Sequence, residues 1–143
     1  MFSKFNIQYL LSYLGLLPFF FISFNKYFFF IINDSISKQF IIFYCLIISV
    51  FIGAINWNFE KNIKIFLAIY SIIPSLFALL IIILSLYNVN IYYLIFFIIS
   101  FLLAQLFFDY ILIYFKAENA NTFFYLRLPL TTIIIINILI IIF

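Results

Sequence analysis

Residues Ile72–Tyr87 read IIPSLFALLIIILSLY, and Thr131–Phe143 read TTIIIINILIIIF. Neither run alternates polar with apolar residues, so neither reads as a half-wet strand or as a strand of a membrane barrel, whose lipid and lumen faces alternate along the chain. Both are apolar on every side. A helix of a soluble protein carries an apolar stripe and a polar back. A helix apolar all round belongs in hydrocarbon, where it satisfies its own backbone hydrogen bonds.

The rest of the chain has the same character. Its 143 residues are 70% hydrophobic and 8% charged, with a mean hydropathy of +1.38. A water-soluble domain of that composition would expose large apolar patches, so the expected class is all-α, a polytopic integral membrane protein. At about 17 to 25 apolar residues per crossing, spans are predicted near 7–24, 39–57, 65–86, 91–115 and 123–143. This is a five-transmembrane-helix bundle, read as a single domain over residues 1–143. The first span contains Pro18 and no small-residue cleavage site, which suggests a retained span, with a signal anchor as the alternative. Asn25–Lys38, NKYFFFIINDSISK, fits an interfacial loop or an extension of the first or second helix.

Seven basic residues are scattered at helix ends and give a net charge of +3. That is a topology signal, and no basic patch for nucleic acid is present. On one side of the membrane fall Lys4, Lys61, Lys64, Lys116 and Arg127, on the other only Lys26 and Lys38. The amino terminus is therefore expected in the cytoplasm and the carboxyl terminus outside. The third loop, YNVN, is short and uncharged and suits a tight hairpin. The heavy use of Ile, Phe, Asn, Lys and Tyr matches an AT-rich genome, so a single Asn or Ile carries less information than usual.

The absence of histidine removes the commonest general base and transition-metal ligand. Cys45 is the sole cysteine, which excludes an internal disulfide and a cysteine metal cluster. Two glycines, Gly15 and Gly53, cannot make a glycine-rich phosphate loop. No catalytic, cofactor-binding or metal site is expected, and an enzyme is the least favoured class.

The polar residues inside the spans are the candidates. In the second span Ser49, Gly53 and Asn56 share a face that ends at Trp57, a face suited to close packing of another helix, or to a ligand. Pro74 in the third span removes one backbone hydrogen bond and crowds the carbonyl of Tyr70, so a kink is expected. Such a bend serves packing, or exposes carbonyls to an ion or substrate. In the fourth span Ser100, Ala104, Gln105 and Asp109 are read as one polar seam. Asp109 lies about 9 Å inside the end of its helix. An ionised carboxylate there needs a partner, and Arg127, about one turn into the fifth span, is at similar depth across the short connection KAENANT. The expected reading is a buried Asp109 to Arg127 ion pair. The alternatives are a titrating relay at Asp109 and a contact with a partner or lipid headgroup.

The ordered set YLGLLPF, FIGAINWNF, IIPSLFALL, AQLFFDY and FFYLRLPLT resembles the DUF3429 family of small multi-span membrane proteins, the transmembrane protein 69-like group, over nearly the whole chain. The family-like positions are Gly15, Pro18, Gly53, Trp57, Pro74, Asp109, Tyr125, Arg127 and Thr131. The family's second element is richer in glycine than the Gly53, Ala54 and Asn58 found here. The resemblance implies a bacterial inner-membrane or mitochondrial-type protein with no assigned reaction. No Arg- and Ser-rich presequence precedes the first span, which favours the bacterial membrane. The expected role is a structural, assembly or interaction partner in a membrane complex. Its partners would be the lipid bilayer and other membrane proteins or a second copy, without nucleic acid or cofactor. The alternative is a small ion- or proton-coupled transport component using the seam of Asp109, Arg127, Gln105, Asn56, Gly53, Trp57 and Pro74.

Overall fold

Pro18 decides where the first long helical stretch begins. A computed structural model of the chain describes residues 10, 12–29, 31–54, 65–115 and 123–142. Residues 12–14 are helical, and the chain turns at Gly15 and Leu16, where the Leu16 amide donates to the Tyr13 carbonyl at 3.0 Å. Helix α1, Leu17–Phe24, then starts with Pro18 in its first turn, the one place where a missing amide has no helical partner to lose. A π-helical turn, Asn25–Phe29, extends it.

The Asn25 side chain, 2% exposed, ties the reversal that follows. Its Oδ1 accepts from the amides of Ile31 and Ile32 at 3.1 and 3.2 Å, and its Nδ2 donates to the Ile32 carbonyl at 3.2 Å. Helix α2, Asp34–Ala54, begins after Asn33, whose Oδ1 accepts from the Ser35 amide at 3.4 Å. The stretch between the first two predicted spans is thus divided. Asn25–Phe29 prolongs the first helix and Asp34–Lys38 belongs to the second, which starts earlier than the predicted residue 39.

Helix α3, Ile65–Leu86, runs helical through Pro74, and α4 covers Ile91–Phe115. The hairpin between them has a defined chemistry. Asn88 takes the left-handed conformation, φ 56°, while its amide donates to Ser85 and that of Val89 to Leu84, the Schellman arrangement that closes a helix. Asn90 then caps α4, accepting the Tyr92 amide on Oδ1 at 3.0 Å. A second π-helical turn, Phe123–Arg127, leads into α5, Leu128–Ile142. Pro129 gives it a physical reason: the ring has no amide and crowds the carbonyl four residues earlier, and a widened turn relieves that crowding.

All these elements are helical, and no strand occurs among the described residues. Among the described residues four stretches are long and apolar enough to cross a membrane: Asp34–Gly53, Ile69–Leu86, Ile91–Ile111 and Phe123–Ile142. The first predicted span is not among them; its described part is broken at Gly15–Leu16. The chain forms two compact units, residues 1–38 with 99–143, and residues 39–98.

Candidate functional site

In the first unit, α4 presents Leu102, Gln105 and Asp109 on its buried side, with Gln105 4% and Asp109 9% exposed. Ser100 and Ala104, read above as members of the same seam, are exposed. The correction is geometric: at about 100° per residue, Ser100 lies on the opposite side of the helix from Asp109. The seam on α4 therefore narrows to Gln105 and Asp109.

Arg127, the last residue of the π-helical turn, brings Nη2 to 2.5 Å from Oδ2 of Asp109. Side-chain exposures of 14% for Arg127 and 11% for Asp109 make this a buried pair, so screening by solvent is slight and each charge offsets the other's desolvation. Thr131 Oγ1 donates to the Arg127 carbonyl at 2.9 Å, which anchors the backbone that carries the guanidinium. Phe123, 3% exposed, packs its ring 5.8 Å from that of Tyr110, the neighbour of Asp109.

The second unit holds Gly53 and Pro74. A Cβ built on Gly53 would meet Pro74 Cγ at 2.7 Å, the Ser71 carbonyl oxygen at 3.0 Å and Pro74 Cβ at 3.2 Å. The backbone of α2 therefore sits directly on the proline of α3, and the buried Ser49 donates to the Leu46 carbonyl of its own helix at 2.8 Å. Small residues at such a contact let two membrane helices approach closely. Asn56 and Trp57 lie outside the described residues. The sequence-predicted seam is distributed over two separate clusters, Gln105–Asp109–Arg127 and Gly53–Pro74.

A third polar cluster was not anticipated. Tyr13 Oη donates to the Tyr125 carbonyl at 2.8 Å, and Ser23 Oγ to Asn137 Oδ1 at 2.9 Å. Lys26 Nζ donates to the carbonyls of Ile140 and Ile141 at 3.2 and 3.0 Å, and Tyr27 Oη to Ile140 at 3.2 Å. Rising numbers on one segment meet rising numbers on the other, so the first helix and the last run parallel. Asn137, 4% exposed inside IIIINILIII, was the available signal, because an amide in the middle of an apolar run needs a partner.

Two cavities frame what chemistry is available. One, about 390 Å³ and lined by Phe43, Leu46, Ile47, Val50, Phe51, Ala78 and Ile82, is entirely apolar and fits hydrocarbon. The other, about 380 Å³, is lined by Asn25, Lys26, Ile32, Asn33, Asp34 and Ser37. The first has no nucleophile or base, and in the second Lys26 is engaged by the Ile140 and Ile141 carbonyls and Asp34 by Lys38 at 2.6 Å. Among the described residues no three His, Cys, Asp or Glu side chains are grouped to hold a metal ion. No protein-family model matches the chain, and no curated protein or solved structure matches it.

Proposed function

We propose that the protein is a five-span membrane component that works by packing and association, as a structural or assembly partner within a membrane complex. The observation that carries this reading is the closed Asp109–Arg127 pair. The carboxylate in α4 is engaged by a cation from the same unit and shielded from water, as a fold-determining group needs and a relay does not. A fifth span is supported by the parallel pairing of residues 13–27 with residues 125–140. If Phe123–Ile142 crosses the bilayer, the segment beside it lies at the same depth over about 21 Å. Spans one and five of a five-span chain are parallel.

The bacterial inner membrane, a cytoplasmic amino terminus and membership in the DUF3429 family belong to this proposal. They rest on the distribution of Lys and Arg and on the quoted motifs. The exposed Tyr87, Tyr92 and Tyr93 flanking the α3–α4 hairpin agree with an interfacial position for it.

A double-mutant cycle with a flux assay tests the reading. Asp109→Asn and Arg127→Gln each destabilise the detergent-purified protein by about 3 to 5 kcal/mol, and the double variant recovers much of the loss, because the destabilisation of each single variant comes from an abandoned buried charge. Proteoliposomes carry no Asp109-dependent proton current. If Asp109→Asn folds like the parent, shows no coupling to Arg127 and abolishes a measured proton or cation flux, the transport reading replaces this one.

A further inference from the structure

Five hydrogen bonds between the first helix and the last run one way, with side-chain donors on Tyr13, Ser23, Lys26 and Tyr27 and acceptors on the last helix. The acceptor at Tyr125 has a specific cause. A helical carbonyl takes the amide four residues on, or five on in a π turn; for Tyr125, which lies in such a turn, the first of these, residue 129, is proline and has no amide. The Tyr13 hydroxyl sits at 2.8 Å from that oxygen. Tyr13 also begins the turn that interrupts the helix ahead of α1, its own carbonyl taking the Leu16 amide, so its direction is set independently of the helix that follows.

We propose that the Tyr13 hydroxyl stands in for the amide that Pro129 lacks, and that it is a positioning residue for the ion pair. Tyr125 lies two residues before Arg127 within the same π-helical turn. Holding its carbonyl holds the register of that turn and keeps the guanidinium aimed at Asp109. The amino-terminal end of the last helix then reaches its final shape only when the first helix docks. Assembly acquires an order: the first segment is a strap that closes on the last one and completes the charged site. In a bilayer the effect is amplified, because few other donors reach a backbone carbonyl there.

The test is a cycle between Tyr13→Phe and Pro129→Ala on the full chain in detergent. In the Pro129 chain, Tyr13→Phe lowers the unfolding midpoint by about 4 °C, the loss of one hydrogen bond for a chain of this size. In the Pro129→Ala chain the same change shifts it by less than about 1 °C, because the alanine amide reaches the same carbonyl. An equal shift in both backgrounds, or no shift in the Pro129 chain, overturns the proposal. A second measurement needs no proline variant. With carbonyl-13C tyrosine and 15N leucine, four Tyr–Leu pairs report, and the Tyr125 carbonyl carbon, read through the Leu126 amide, is the signal lost in a Leu126→Ile chain. Loss of its hydrogen bond in Tyr13→Phe moves that resonance upfield, and the coupling between Asp109→Asn and Arg127→Gln shrinks in the Tyr13→Phe background; an unmoved resonance or an unchanged coupling overturns the proposal.

Discussion

Replacing Gly53 by alanine adds a methyl group at a point where Pro74 Cγ would stand 2.7 Å away and the Ser71 carbonyl oxygen 3.0 Å away. Neither neighbour is the free end of a flexible side chain; one is a ring carbon and the other is helix backbone. The two helices must separate by several tenths of an ångström, and Pro74, which is fully buried, must shift with them. Overpacking of this kind costs about 1 to 3 kcal/mol. Against it stands the intrinsic preference, since alanine in a helix interior is favoured over glycine by about 0.8 to 1.0 kcal/mol. The two terms oppose each other, and the contact term is the larger. The net expectation is a loss of up to about 2 kcal/mol.

The sign of the change is therefore diagnostic. Thermal unfolding of Gly53→Ala in detergent gives a lower midpoint if α2 rests on Pro74, and a higher one if Gly53 is an ordinary helical residue. Pro74→Ala supplies the control. It removes Cγ, source of the shortest contact, while the Ser71 oxygen remains, so the cost of Gly53→Ala shrinks in that background and the cycle shows coupling. A raised midpoint for Gly53→Ala, or an identical effect in both backgrounds, refutes the reasoning.

Other expectations concern the hairpin and the parallel helices. Asn90→Ala removes the cap of α4 and lowers stability by about 1 kcal/mol, while Asn88→Gly, at a left-handed position that glycine occupies without penalty, leaves the unfolding midpoint unchanged or raised; a loss comparable to that of Asn90→Ala would contradict the Schellman reading. Ser23→Ala costs about 0.6 kcal/mol, the typical value for one hydrogen bond between membrane helices. Cysteines at 23 and 137, in a Cys45→Ser chain, crosslink under oxidation. A pair at 13 and 137 does not, because residue 13 lies beside residue 125 in the parallel register, about 15 to 18 Å along the axis from residue 137.

The fold was legible wherever one residue type has one physical meaning in a bilayer. The boundaries 65–86 and 91–115 are those observed for α3 and α4, since an apolar run bounded by YNVN admits one reading. The first span was harder. Its composition matches a single helix, but Gly15 and Pro18 place a turn and a helix start inside it. The asparagines carry more structure than an AT-rich composition implies. Asn25, Asn88, Asn90 and Asn137 each hold a turn, a cap or a helix contact, whatever bias in the genome supplied them. On α4 chemistry groups Ser100 and Ala104 with Asp109, but the helix period separates them and leaves both exposed.

With the long apolar helices placed in lipid, as proposed above, the distribution of these polar groups follows from the solvent. In water, burial of apolar surface both drives helices together and selects the faces that meet. In lipid that drive is absent, because a leucine gains little by leaving acyl chains for another helix, and association depends on close packing and polar contacts. A chain as rich in Ile and Phe as this one would have many near-equivalent ways to pack. Among the contacts that distinguish one arrangement are a glycine against a proline, an amide against a hydroxyl, and Asp109 against Arg127. Among these the ion pair discriminates most strongly, because every alternative packing that parts its members leaves a bare charge in a low-dielectric interior. The charge in α4 thus raises the energy of the wrong folds more than it lowers that of the right one. On that account, replacing both members by apolar residues of similar volume, Asp109→Leu with Arg127→Met, leaves thermal stability near the parent value while the crosslinking pattern between the first and last helices broadens. A single preserved pattern would mean that the packing of α5 is specified elsewhere.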